Sequence, residues 1–200
     1  RDNLPQIRTQ VDDERNKELA NAFGVPLILN SVSPPDSLRH MCAQMKIPAI
    51  TYEGGEALRF DEAAIRAGVR GVTSIMRHLN MLSSSKRNPV AAEPMVATGS
   101  QWLRAEIDGV MRPQVKLGDR VKKNQSMCII SDPYGENEAS MLAPFDGIVI
   151  GRSNLPLVNQ GEAIFNIGRF DASKTLEKNI AVFESEIIED EFIDIDQSIS

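Results

Sequence analysis

The chain has 200 residues, 42% of them apolar and 25% charged, the make-up of one or two soluble globular domains and not of a disordered polymer. Its longest apolar run is about five residues, Val25–Leu29 with Pro26 inside, which excludes a membrane-spanning helix of roughly 20. The formal charge of −6 gathers in Asp171–Ser200, where nine acidic residues face Lys174 and Lys178, so the rest is nearly neutral and carries no basic footprint for nucleic acid.

In chain order, the first 82 residues alternate helix and strand signals. Asp12–Phe23 carries Val11, Leu19, Ala22 and Phe23 at helical spacing, acids in its first turn and Gly24 past its end. Val25–Leu29 reads as a short buried strand, and Ser37–Met45 as a second helix ended by Lys46-Ile-Pro48. Ala49–Glu53 reads as a strand that stops at Gly54-Gly55. Asp61 is a candidate N-cap for a long helix to Leu82, with Ile65, Val69, Val72, Ile75, Met76, Leu79 and Leu82 as its core face. This order predicts an α/β layer with a mainly parallel sheet. Residues 83–99 read as a linker, on the strength of the polar, breaker-rich run Ser83–Pro89.

From residue 100 to 170 short strands alternate with Gly, Pro and Asp, the signature of an all-β domain. The region repeats itself: Val115-x-x-Gly118-Asp119-x-Val121 returns as Val158-x-x-Gly161-Glu162-x-Ile164. With Ala143-Pro-Phe-Asp-Gly147 between the copies, it resembles the lipoyl/biotinyl-like barrel-sandwich hybrid. Carriers of that type hold a modified lysine between the halves, but Ser131–Pro144 contains no lysine, which argues against a prosthetic-group carrier. Residues 171–200 read as a peripheral acidic tail in which acids alternate with Ile and Phe.

Chemistry-bearing residues are few. Glu53 stands at the predicted carboxyl end of a strand, where open parallel sheets gather ligands; a carboxylate there can act as general base and acid. Arg39, in the first turn of the preceding helix, has the fork that grips a substrate carboxylate; Arg1 and Arg8 flank Asn3-Leu-Pro5. His40 and His78 have no partner at metal-ligand spacing, and no dinucleotide, P-loop or nucleophile-elbow motif is present. Cys42 and Cys128 read as reduced, buried thiols of a cytoplasmic protein. Beginning with Arg and not Met, the chain reads as starting mid-loop inside a longer polypeptide.

Several segments occur in one order: Arg1–Arg8 (RDNLPQIR), Glu18–Gly24, Ser37–Arg39, Ile47–Gly55 (IPAITYEGG), Asp132–Gly135 (DPYG) and Ala143–Gly151. The ordered set resembles the C-terminal part of the succinylglutamate desuccinylase/aspartoacylase family over about residues 1–170. The resemblance implies the later part of a zinc-carboxypeptidase-like sheet followed by a barrel-sandwich hybrid domain. It further implies a zinc-dependent hydrolase acting on a small N-acyl amino acid, with Glu53 as general acid/base. By the same resemblance Arg39 and Arg8 bind substrate, and Tyr134, on the Asp132–Gly135 tip, contacts it. The family's zinc ligands, a His-x-x-Glu pair and a later His, are absent from residues 1–200, so by the resemblance they lie upstream of Arg1. The competing reading is a non-catalytic binding or adaptor module. Neither nucleic acid nor membrane is expected as a partner, and assembly into a homo-oligomer is left open.

Overall fold

The computed structural model describes residues 1–83, 94–170, 180–183 and 185. The chain divides into two compact units: an α/β unit (Pro5–Gly55, Arg59–Val96 and Lys174–Ser200) and a β unit (Arg1–Leu4, Glu56–Leu58 and Ala97–Ser173). Among the described residues no helix is long and apolar enough to cross a membrane.

The α/β unit contains β1 (Asp2–Thr9, from Pro5 on), α1 (Glu14–Phe23), β2 (Leu27–Asn30), α2 (Leu38–Gln44), β3 (Thr51–Glu56), α3 (Glu62–His78) and β4 (Met95–Ala97). Strand β1 corrects the expected loop at the start of the chain. It runs parallel to β2, Gln6–Thr9 against Leu27–Asn30, and pairs with β3 as well. Thr9 Oγ1 donates to the Ala49 carbonyl at 3.1 Å, while Gly54 lies over the Pro5 backbone, so β3 runs antiparallel to β1. The sheet is therefore mixed where a mainly parallel one was predicted. The predicted linker also ends early: β4 lies within it, and the Met95 N–H donates to the Pro26 carbonyl at 2.9 Å. Residues 84–93 of that linker are outside the described ones.

Both longer helices start where side chains satisfy their free N–H groups. Asp13 accepts from the Asn16 N–H and Asp61 from the Ala64 N–H, and Gly24 closes α1 in the left-handed conformation at φ 80°. The core face of α3 is only in part the predicted one: of the predicted row, Ile75 packs against the core. Ala64, Ala67 and Gly71 are its buried residues, whereas Ile65, Val69, Val72 and Leu79 are exposed. Small residues let the helix approach the Phe23 and Tyr52 rings, which stack at 5.0 Å; bulky ones would hold it off. The core here joins Ile7, Ala20, Phe23, Val25, Ile28 and Ala67 with Phe183. Phe183 corrects the expectation of a wholly peripheral tail, the rest of which lies largely outside the described residues.

The β unit has two antiparallel sheets. One runs β11 (Leu157–Val158), β6 (Gly109–Pro113), β8 (Ser126–Ser131), β9 (Glu138–Leu142); the other runs β7 (Arg120–Val121), β10 (Gly147–Arg152), β12 (Ala163–Arg169), β5 (Gly99–Arg104). Met111, Ile130 and Met141 from the first and Val149, Ile164, Phe165 and Ile167 from the second form one core. The sequence repeat is a repeat of turn chemistry. Gly118 and Gly161 take φ of 87° and 83°, where a Cβ would be strained. The acid after each glycine caps its own turn: Asp119 accepts from the Lys116 N–H at 2.7 Å and Glu162 from the Asn159 N–H at 3.1 Å.

Of the two thiols, only Cys128 is buried; Cys42 is partly exposed. Burial pushes the Cys128 thiol up to about 12, leaving on the order of 10⁻⁴ of it as thiolate at pH 8. A thiol-reactive disulfide at pH 8 is expected to label Cys42 in the native chain and both residues in denaturant. Labelling of Cys128 in the native chain at the rate of Cys42 would contradict this burial.

Candidate functional site

Three of the four residues singled out in the sequence come together in the α/β unit. Arg8 is the penultimate residue of β1, at its carboxyl end. Because β3 runs the opposite way, its early residues lie beside that same end, and this puts Glu53 opposite Arg8: Arg8 Nε is 2.9 Å from Glu53 Oε2. Glu53 therefore sits inside a strand, not at a strand's carboxyl end as predicted, and reaches the expected edge through the reversal. Gly54 and Gly55 do not end the strand either. Gly55, at φ 72°, bends it one residue before its last.

Arg39 lies in the first turn of α2, whose N-cap Ser37 accepts the His40 N–H at 3.2 Å. The guanidinium turns back toward the end of β2, where its Nη1 and Nη2 donate to Ser31 over 3.3–3.4 Å. These are long bonds for a charged donor. Burial, and secondarily the like charge of Arg8, lower its pKa, while Glu53 works the other way. Arg8, Arg39 and Glu53 thus act on one another as a cluster with one excess positive charge. The Arg8–Glu53 contact is close but poorly aligned as a hydrogen bond, for Arg8 Nε has no hydrogen-bond acceptor in line. Glu53 is drawn to Arg8 by charge and retains 35% of its side-chain exposure.

The rear of β3 is firmly held. The Ala49 N–H donates to Asn16 Oδ1 at 2.8 Å, fixing the approach to β3 against α1. Tyr52 donates its hydroxyl to the Ala64 carbonyl at 2.8 Å, and burial, with Asp61 second, pushes its pKa up to about 12. Tyr52 and Glu53 point to opposite faces of the strand, so the packed tyrosine orients the carboxylate outward. Arg39 also lines a cleft of about 400 Å³, together with Gln10, Asp12, Asn16, Ser33 and Lys46.

Two participants went unread in the sequence. Ser31 gave no signal, since its role comes from the parallel pairing of β2 with β1. Gln6 shares a face of β1 with Arg8, is fully buried, and neither of its amide atoms has a hydrogen-bond partner among the described residues. Its alternation with Arg8 along a strand was the available clue.

Tyr134 belongs to the β unit. It is 88% exposed, on a tip organised by Asp132, whose carboxylate accepts the N–H groups of Tyr134, Glu136 and Asn137 and the Asn137 amide. These bonds, that from the Asn137 side chain foremost, hold the Asp132 carboxyl below its usual range. No three His, Cys, Asp or Glu side chains among the described residues are grouped to hold a metal ion. The described residues thus supply no donor set for the zinc that the resemblance implies, and no step below runs through it.

In fold the chain is similar to solved structures of succinylglutamate desuccinylase/aspartoacylase family proteins. No protein-family model matches the chain, and no curated protein matches it in sequence. A succinylglutamate desuccinylase/aspartoacylase from Rhodobacter sphaeroides superposes with a TM-score of 0.71 at 18% identity, covering 84% of this chain and 55% of that one. The apo form of the ectoine utilization protein EutE from Ruegeria pomeroyi gives 0.75 at 17% identity, over 84% of this chain and 56% of that one. An aspartoacylase family protein from Mesorhizobium loti gives 0.66 at 16%, over 86% and 59% respectively. The likeness is one of fold, and the chain spans about half the length of the structures it matches.

Proposed function

We propose that residues 1–200 are the C-terminal part of a hydrolase that removes the acyl group from an N-acyl amino acid. The observation that supports this most is the charge excess: two arginines share one glutamate, and Arg39 is burdened by burial and by Arg8. An anion bound there relieves both, and a carboxylate matches the guanidinium fork. In this reading Arg39 holds the α-carboxylate of the substrate and Arg8 keeps Glu53 turned toward the amide. Water attacks the amide carbonyl carbon as Glu53 takes its proton. Glu53 then passes that proton to the nitrogen as the C–N bond breaks, releasing a carboxylic acid and a free amino acid.

The reading takes residues 1–82 as the catalytic part and 100–170 as a barrel-sandwich hybrid domain without a carrier lysine, in a cytoplasmic protein. Tyr134 keeps a role as substrate contact on the strength of the resemblance. Zinc is carried over from it too, with ligands that the described residues do not supply.

The test compares an N-acyl amino acid with its carboxamide analogue. Losing a charge-assisted contact of about 1.5–3 kcal/mol, Arg39→Ala is expected to raise KM for the acid roughly 10- to 100-fold, with kcat little changed, and to leave the carboxamide unaffected. A wild-type protein inert toward N-acyl amino acids, or an Arg39→Ala loss equal for both analogues, would sink the reading.

A further inference from the structure

Gln6 and Arg8 stand two residues apart on one face of β1, in register with Leu27 and Leu29 of β2, both of them buried. In that apolar layer three polar atoms, Gln6 Oε1, Gln6 Nε2 and Arg8 Nε, are buried with no hydrogen-bond partner among the described residues. Left so, each group bears its full desolvation penalty, whereas a leucine or methionine at position 6 would fill the same layer without one. The Arg8 side chain as a whole keeps 21% of its exposure, so it is the Nε edge of the guanidinium that faces inward.

The three atoms define what can complete them. Arg8 Nε and Gln6 Nε2 are donors and Gln6 Oε1 is an acceptor, a mixture that neither an anion nor a cation satisfies. Water both accepts and donates, and is held inside proteins by two to four such partners. Side chains two residues apart along a strand stand about 6.6 Å from each other, roughly the span of two hydrogen bonds of about 2.8–3.0 Å through one water.

We propose that Gln6 is a positioning residue for Arg8: one internal water accepts the Arg8 Nε–H and donates to Gln6 Oε1, holding the guanidinium at the angle that serves Glu53. Arg8 Nε is 2.9 Å from Glu53 Oε2 without being in line with it. Charge attraction therefore brings the pair together but leaves the angle free, and the water sets it. The effect on rate rests on the hydrolase reading above; the water does not.

Two measurements on the natural polypeptide test this. With isotope-labelled arginine, the Arg8 Hε proton is expected to show a rotating-frame cross-peak to long-lived water, of the sign of dipolar contact and not of chemical exchange. The cross-peak should vanish in Gln6→Met, whose unbranched side chain fills the same space without the amide. In hydrolysis, Gln6→Met is expected to lower kcat about 10-fold with KM within about 2-fold. In an Arg8→Lys background, which has no Nε–H to act through, the same change should cost nothing further. Equal losses in both backgrounds would make Gln6 a packing residue and overturn the proposal. So would unaltered kinetics in Gln6→Met, or a wild-type Arg8 Hε without the cross-peak. A wild-type protein inert toward N-acyl amino acids sinks the hydrolase reading alone, and the cross-peak then decides for or against the water.

Discussion

Glu53→Gln is expected to lower kcat for N-acyl amino acid hydrolysis by about 10²- to 10⁴-fold, the usual worth of a positioned proton-transfer group, while KM moves little. The substitution changes the chemistry and almost nothing else. Glutamine has the same shape, still places an oxygen toward Arg8, and leaves Tyr52 and its bond to Ala64 on the other face of β3. What it cannot do is accept the proton of the attacking water. Arg8→Lys makes the companion test: the charge beside Glu53 remains but the planar fork is lost, so a positioning role for Arg8 predicts a smaller fall in kcat. Steady-state kinetics on the natural polypeptide reads both. Near-wild-type turnover in Glu53→Gln would remove Glu53 from the reaction, and a larger loss in Arg8→Lys would reverse the roles assigned to the pair.

Gly71→Val is the structural counterpart, and two opposed effects decide its sign. Removing glycine from a helix interior gains up to about 1 kcal/mol for alanine and less for a β-branched residue. Against that, a Cβ at position 71 would lie 2.2–2.4 Å from three ring carbons of Phe23. That ring cannot swing clear, being 4% exposed and stacked on Tyr52. Overpacking of this kind costs about 1–3 kcal/mol and more where several atoms collide, so the clash wins. A net loss of about 2 kcal/mol is expected, a fall in Tm of roughly 4–8 °C for a chain of this size. Because the loss is attributed to one ring, Phe23→Leu in the Gly71→Val background should cost less than the two changes added separately. Strict additivity in thermal unfolding would show that the strain lies elsewhere.

Local chemistry was the legible part of this chain. The acidic caps of α1 and α3, the glycine that closes α1 and the paired Val-x-x-Gly-acid turns are short-range features whose partners lie within a few residues. Strand β1 was hidden because Pro5 and Gln6 interrupt its apolar alternation, and because the neighbours that stabilise it, β2 and β3, arrive from later in the chain. The direction of β3 was out of reach for a different reason, since a strand's periodicity is the same read either way. Glu53 and Arg39 came to notice through the strand end and helix turn expected for them, and Arg8 through the resemblance. Their juxtaposition depends on that reversal and on Ser31, neither of which leaves a local mark. On α3 the hydrophobic pattern placed Ile75 correctly but most of its row on the exposed side, because close packing selected small residues where burial alone would have selected large ones.

Helix α2 has seven residues, none of them buried, yet it carries Arg39. Changes in it that keep the Ser37 cap and the arginine are therefore expected to leave the buried core as it was. If Arg39 grips the substrate as proposed, exchanging this short segment, with Met41, Cys42 and Gln44 on it, would alter what the arginine recognises without compensating changes in the interior. On that reading selectivity is a replaceable part and the carboxylate on β3 a fixture.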